Sequence, residues 1–282
     1  MVENRPFLTF LSHLVLIIGV TAVIFPVYLA FIASTHGSDD FLSGMVPLLP
    51  GPHMIENYSV VTFAGMSSSG APPLMPMLVN SLIMALGVAI GKISISILSA
   101  YAVVYFRFPL RTLAFWLIFI TLMLPVEVRI VPTFKVVADL GLLNNYGGLI
   151  IPLIASATAT FLFRQFFLTV PDELMEAARV DGAGPMKFFR DILLPLSRTN
   201  MAALFVILFV LGWNQYLWPL IISTDPHQYT VVMGIKRMAD TADAVPRWNL
   251  VMAAVILAGL PPVLVIVAMQ RLFVKGLTET EK

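Results

Sequence analysis

The sequence has no cysteine, four widely separated histidines (His13, His36, His53, His227) and little charge, with Asp, Glu, Lys and Arg making up 12% of its 282 residues. The missing cysteine excludes disulfides, thiolate metal sites and cysteine nucleophiles. The scattered histidines offer no zinc cluster, and a net charge of +1 leaves no basic footprint for nucleic acid. A soluble domain carries about 25% charged residues, so half that density means that most of this chain meets something other than water. A phosphate-cradling ATP loop is missing as well. Its nearest approach, Gly87-Val88-Ala89-Ile90-Gly91-Lys92-Ile93, is one residue too short between its glycines and has no Ser or Thr after the lysine.

What is present is apolar: 59% of residues are hydrophobic and the mean hydropathy is +0.90. A helix needs about 20 apolar residues to cross about 30 Å of hydrocarbon. Runs free of charged residues cover 6–38, 57–91, 112–126, 140–163, 199–224 and 248–270. The third is short only because Glu127 and Arg129 interrupt an apolar stretch that continues to Val137. The expected architecture is an all-α integral membrane protein with six transmembrane helices at about 8–33, 77–106, 112–137, 148–168, 201–222 and 249–271, forming one transmembrane domain over residues 1–282. The first apolar stretch, Phe7 to Ala33, exceeds the core of about 7–15 residues usual for a secretory signal and reads as an anchor.

Orientation follows the positive residues. With both termini cytoplasmic, eleven Lys and Arg residues fall inside: Arg5, then Arg107 and Arg111, then Arg164, Arg179, Lys187, Arg190 and Arg198, then Arg271, Lys275 and Lys282. Four fall outside: Lys135, Lys236, Arg237 and Arg247. The first outer connection, 34–76, has neither Lys nor Arg, and its Pro and Gly content suggests an irregular segment.

Three ionisable residues remain inside the spans. Lys92 lies about 21 Å from the inner end of the second span and Glu127 about 22 Å from that of the third, so an ion pair or shared polar network is expected at one depth. Arg129 sits between Pro125 and Pro132, which loosen the helix around it. It either faces a water-filled path, where a guanidinium suits an anionic substrate, or is a fixed structural charge near the outer interface. Asn214, Gln215 and Tyr216, midway along the fifth span, cover too much of the helix circumference to face lipid together. They line the path or hydrogen-bond a neighbouring helix.

The connection from Pro171 to Pro195 carries a pattern of its own. Pro171 suits a helix start, Asp172 and Glu173 complement the positive end of the helix dipole, Gly182 can close the helix, Pro185 can open a second one, and Pro195 is expected to stop it. The two pieces form an elbow along the membrane face. Leu174, Ala177, Ala178, Phe188, Phe189 and Ile192 give it an apolar side of the kind that marks a protein contact.

Glu176-Ala177-Ala178, three residues, Gly182, nine residues, Ile192, one residue, Leu194-Pro195 resembles the "EAA" loop of bacterial ABC importer membrane subunits. Trp213-Asn214-Gln215-Tyr216-Leu217-Trp218-Pro219 is similar to a segment of the carbohydrate-uptake permeases related to the inner maltose-importer subunit. Met123–Ile130 and Ala157–Phe167 look like the branch that imports sn-glycerol 3-phosphate. The resemblance implies a type I ABC importer permease fold in the bacterial inner membrane, and a non-catalytic subunit forming half of a translocation path. It implies as partners a homologous permease, two ATPase subunits and a periplasmic solute-binding protein. This chain itself would hold no cofactor, with ATP and Mg bound by the ATPases. Coupling would run through Glu176, Ala177, Ala178, Asp181, Gly182, Phe188, Ile192, Leu194 and Pro195; Lys92, Glu127, Arg129, Asn214, Gln215 and Tyr216 are the candidate path residues. The rival reading is an ion-coupled secondary transporter with Lys92, Glu127 and Arg129 as its relay. It leaves the elbow's spacing unexplained.

Overall fold

The computed structural model describes residues 6–41, 44, 47–66, 70–123, 126–240 and 246–278, with the side chains of 6, 121–123, 126, 127 and 271–278 outside the description. Among the described residues there are helices and one isolated antiparallel bridge, Met66 to Ala71, and no strand. In chain order the helices are α1 (Pro6–Ser34), α2 (Met54–Ser59), α3 (Leu74–Tyr105), α4 (Arg111–Met123), α5 (Val126–Asp139), α6 (Tyr146–Ile150), α7 (Ala157–Phe167), α8 (Asp172–Val180), α9 (Pro185–Phe188), α10 (Leu194–Leu196), α11 (Arg198–Trp213), α12 (Leu217–Ile222), α13 (Val231–Ala239) and α14 (Trp248–Thr278).

Three of these are long and apolar enough to cross a membrane: Phe7–Ser34, Leu74–Tyr105 and Trp248–Gln270. The count reaches five if two bent pairs each act as one span. The expected single helix at 148–168 is such a pair: it bends by 48° between Leu153 and Ala157. Pro152 supports only a short 3-10 turn there, and Ser156 starts a new helix by accepting the Ala159 N–H at 3.3 Å. The expected span at 201–222 also differs. Its first part, α11, follows the elbow's second arm after a 69° bend at Ser197, and the chain leaves the helix at Asn214 before restarting as α12. The stretch expected as 112–137 is occupied by α4 and α5, and residues 124–125 between them lie outside the described set.

The chain forms two compact units, one from Met1–Pro76 with Gly234–Leu260 and one from Met77–Met233 with Pro261–Lys282. In the first, α1 has only 6% of its apolar window buried within the chain, so its surface is available to lipid or another subunit. Its last turn is anchored. Ile32, Ala33, Ser34 and Thr35 are buried, and Asn57 donates from Nδ2 to the carbonyls of Ser34 (2.9 Å) and His36 (2.8 Å) while accepting from Asn249 Nδ2 at 2.9 Å. The described part of the connection that follows α1 is therefore tied down by side-chain bonds to backbone rather than simply irregular.

His36 Nδ1 and the Gly37 N–H both lie 3.0 Å from Asp40 Oδ2, and these contacts, the His36 bond first, hold the Asp40 carboxyl below its ordinary value. A depressed carboxyl stabilises the fold above the ordinary Asp value of about 3.9, and that contribution disappears as pH falls through the lowered value. Protection of the Gly37 amide from hydrogen exchange, normalised to its intrinsic rate, is expected to be level from pH 7 to about 4 and to fall below that. Level protection at still lower pH would show that the turn does not depend on the carboxylate.

In the second unit, Met84 and Val88 of α3, Val137 of α5, Leu149 of α6, and Trp218 and Ile222 of α12 make a buried cluster, flanked by Ile130 and Phe134 of α5. The α6 backbone packs closely here, and Trp218 donates its indole N–H to the Gly148 carbonyl at 3.0 Å. Asn80 is the polar hub. Its Nδ2 donates to the His227 and Tyr229 carbonyls (2.8 and 3.0 Å), and its Oδ1 accepts from Tyr146 at 2.7 Å. Those bonds satisfy a fully buried amide across elements nearly 150 residues apart in sequence.

Candidate functional site

The elbow folds much as its residues dictate. Pro171, in extended conformation, precedes α8, and Asp172 and Glu173 occupy the first turn while Arg179 occupies the last, which matches the helix dipole at both ends. Gly182 has φ of +73°, a left-handed conformation costly for any residue with a Cβ, and the Ala183 N–H returns to the Ala178 carbonyl at 2.8 Å. Pro185 opens α9 as expected. Pro195 does not stop the second arm, in contrast to the sequence expectation. Phe189–Leu193 forms a π-helical turn just before it, which accommodates the missing proline N–H, and the helix continues through α10 to the bend at Ser197.

The expected apolar side divides in two. Ala178, Phe188, Phe189 and Leu193 are buried within the chain, and Ile192 is half-buried; Leu174, Ala177, Val180 and Met186 are exposed. The buried half faces the end of α3. Tyr101 meets Phe189 in a tilted arrangement at 4.9 Å between centroids and donates its hydroxyl to the Pro185 carbonyl at 2.8 Å. Tyr105 meets Phe188 and Phe167 edge-on at 5.4 and 5.9 Å. Both tyrosines escaped sequence reasoning, although two aromatics four residues apart at the end of a span form one helix face aimed at whatever lies below it. Glu176, Asp181, Gly182 and Arg190 are exposed, and Leu194 and Pro195 are half-buried. Arg190 donates to the neighbouring Asp191 at 2.7 and 3.4 Å, holding that exposed carboxyl below its usual range.

Between α8 and the end of α3 lies a cleft of about 900 Å³ lined by Tyr105, Arg107, Arg111, Asp172, Glu176 and Arg179, among others. Three cations and two carboxylates converge there on an aromatic floor. Such a surface can receive charged side chains of a partner and hold them in register.

The candidate path residues are placed differently. Lys92 and Arg129 are both half-buried, and neither side chain has an ion pair or hydrogen bond among the described residues. The Glu127 side chain lies outside the described residues, and so does the expected Lys92–Glu127 pair. Asn214, Gln215 and Tyr216 are not mid-helix side chains. They form the break between α11 and α12, where Asn214 is exposed and Gln215 returns its Nε2 to the Leu211 carbonyl at 3.2 Å. A broken helix at such a position exposes backbone carbonyls and is tolerated only beside protein or a water-filled cavity. Among the described residues no group of acidic, His or Cys side chains is arranged to hold a metal ion.

Comparison with known proteins bears on both regions. The family described as "Binding-protein-dependent transport system inner membrane component" matches residues 92–279, which includes the whole elbow and most of the second unit. The chain is 57% identical over 282 residues to the sn-glycerol-3-phosphate transport system permease protein UgpE of Brucella melitensis biotype 1, 58% to that of Agrobacterium fabrum and 56% to that of Escherichia coli O1:K1. In each case the whole of both chains is aligned. Among solved structures it resembles a bacterial ABC transporter involved in the import of the acidic polysaccharide alginate, with a TM-score of 0.79, 18% identity, and 96% of this chain and 98% of that chain covered. At that identity the likeness concerns the fold alone.

Proposed function

The chain belongs to the family of binding-protein-dependent transport system inner membrane components, the permease subunits of ABC importers, and from this premise we propose that it carries sn-glycerol 3-phosphate across the bacterial inner membrane. The observation that carries the substrate is the unbroken alignment, end to end and at 56–58% identity, with permeases named for that solute. The proposed assembly contains this subunit, a homologous permease, two ATPase subunits that bind ATP and Mg, and a periplasmic solute-binding protein. This chain contributes a single non-catalytic permease domain, residues 1–282, with six passes and both termini cytoplasmic. Family membership leaves the ion-coupled reading without support.

In this reading the 171–195 elbow seats in the ATPase. Its outward residues, Glu176, Ala177, Asp181 and Gly182, offer the contact, while Phe188 and Phe189 join it to α3 through Tyr101 and Tyr105. Ala178, Ile192, Leu194 and Pro195 support the contact from inside the elbow. A conformational change needs differential contact energy between two states. ATP-driven closure of the ATPases supplies it, and the aromatic joint passes the displacement to α3 instead of letting the elbow swing alone.

The complete transporter in proteoliposomes, with ATP inside and loaded binding protein outside, tests this. sn-Glycerol 3-phosphate is expected to accumulate and to stimulate ATP hydrolysis, whereas glycerol and maltose do neither. Equal stimulation by maltose, or accumulation that an uncoupler abolishes and ATP does not drive, would overturn the assignment.

A further inference from the structure

The membrane interior of this chain carries unbalanced positive charge. Of its sixteen acidic residues, Glu127 alone falls well within an expected span, against two cations, Lys92 and Arg129. Whatever Glu127 does, one positive charge is left over. A lone charge at that depth costs about 2.5–3.5 kcal/mol on the insertion scale, and such residues mark substrate pathways when they persist.

The fold sets both cations next to residues of one buried cluster. Met84 and Val88 on α3 belong to the buried cluster against which Ile130 of α5 packs, and Lys92 follows Val88 by four residues, on the same helix face one turn on. Arg129 immediately precedes Ile130, so it stands at the edge of the same contact. Gly212 packs against α3, where a Cβ would come within 3.1 Å of the Ala85 Cα and 3.5 Å of the Val88 Cβ. That contact sets the Asn214–Tyr216 break, two residues further along, beside the same stretch of α3.

We propose that Lys92 and Arg129 together form an oxyanion subsite inside the membrane that takes the phosphate group of the substrate in transit. The proposal rests on the sn-glycerol 3-phosphate reading and deepens it. A phosphate monoester carries close to two negative charges at neutral pH, so it neutralises both cations at once. Arg129 can grip it through two parallel N–H bonds while Lys92 adds a mobile point charge. Neither cation has a described partner to give up when the anion arrives, and neither retains the anion by a closed cage, as passage requires.

The test uses the complete transporter in proteoliposomes, with saturating binding protein, and measures sn-glycerol 3-phosphate uptake together with the thermal midpoint of the assembled complex. Lys92→Met and Arg129→Met are each expected to lower uptake about 10- to 100-fold, the worth of one charge-assisted bond, and Lys92→Arg to stay within about threefold of the parent. Since the two cations outnumber Glu127, the Met variant at whichever of them Glu127 does not balance removes an uncompensated charge from the membrane, and its thermal midpoint stays level or rises. Unchanged uptake in both Met variants overturns the subsite while leaving the substrate reading intact. A lowered midpoint in both Met variants also overturns it, because Glu127 can balance only one of the cations and the other would then be pairing with a carboxylate of a neighbouring subunit. A parent complex that imports no phosphate monoester sinks the substrate reading and the subsite with it.

Discussion

Glu176→Lys is expected to abolish import while the subunit still inserts and assembles in the membrane. Glu176 is exposed on α8, outside every apolar span, so its replacement changes no hydrocarbon-facing surface and no buried contact. It lines the cleft that already contains Arg107, Arg111 and Arg179. The substitution removes one of two carboxylates and adds a fourth cation, which reverses the charge pattern offered to a partner. Truncating one member of a desolvated charge pair costs about 2–5 kcal/mol, or roughly 30- to several-thousand-fold in a binding constant. Charge reversal lies at the upper end of that range. Uptake and ATP hydrolysis stimulated by loaded binding protein should therefore fall together, while the amount of subunit recovered from the membrane is unchanged. Normal import in this variant would mean that α8 does not carry the coupling contact.

Gly148→Ala is expected to be the most damaging single-methyl change in the second unit. A Cβ at that position would stand 2.1 Å from the Leu142 carbonyl oxygen, 3.1 Å from its carbon and 3.3 Å from Ile222. The obstacle is backbone, so no side chain can rotate away. Either α6 lifts off the preceding loop or the buried cluster around Leu149 and Trp218 opens, and the Gly148 carbonyl loses alignment with the Trp218 indole N–H. Overpacking of about 1–3 kcal/mol and a lost hydrogen bond of about 1 kcal/mol together give about 2–4 kcal/mol. At about 2–4 °C per kcal/mol for a unit of this size, the thermal midpoint drops by roughly 4–16 °C. Gly184→Ala is the control. Nothing lies within 4 Å of a Cβ there, and its φ of −72° suits any residue. A midpoint in Gly148→Ala that matches the control would show that α6 yields more readily than its packing indicates.

The boundaries legible in the sequence were those set by local chemistry. Pro171, Gly182 and Pro185 each constrain the backbone within one or two residues, and the first arm of the elbow begins and ends where they place it. Pro195 misleads because its effect depends on the turn before it: a π-helical turn accommodates a proline that an unmodified α-helix would not. Hydropathy located apolar segments and could not tell a continuous helix from two bent pieces, since Ser156 within an expected span and Ser197 just before another are ordinary residues that reveal a cap or a corner only in three dimensions. The polar triad 214–216 was visible as an anomaly. Its consequence, a helix that ends at Trp213 and restarts at Leu217, required the backbone. Tyr101 and Tyr105 were missed for a related reason: their partners lie more than 60 residues away, and no local pattern connects them.

The tyrosine joint matters for anyone splicing such proteins. Residues 171–195 look like a portable module in sequence, yet their footing is supplied by a different helix, through the Tyr101 hydroxyl on Pro185 and the ring of Tyr105 on Phe188. A chimera that grafts the loop alone transplants the handshake without the wrist. The natural unit of exchange is the loop together with the last turn of α3.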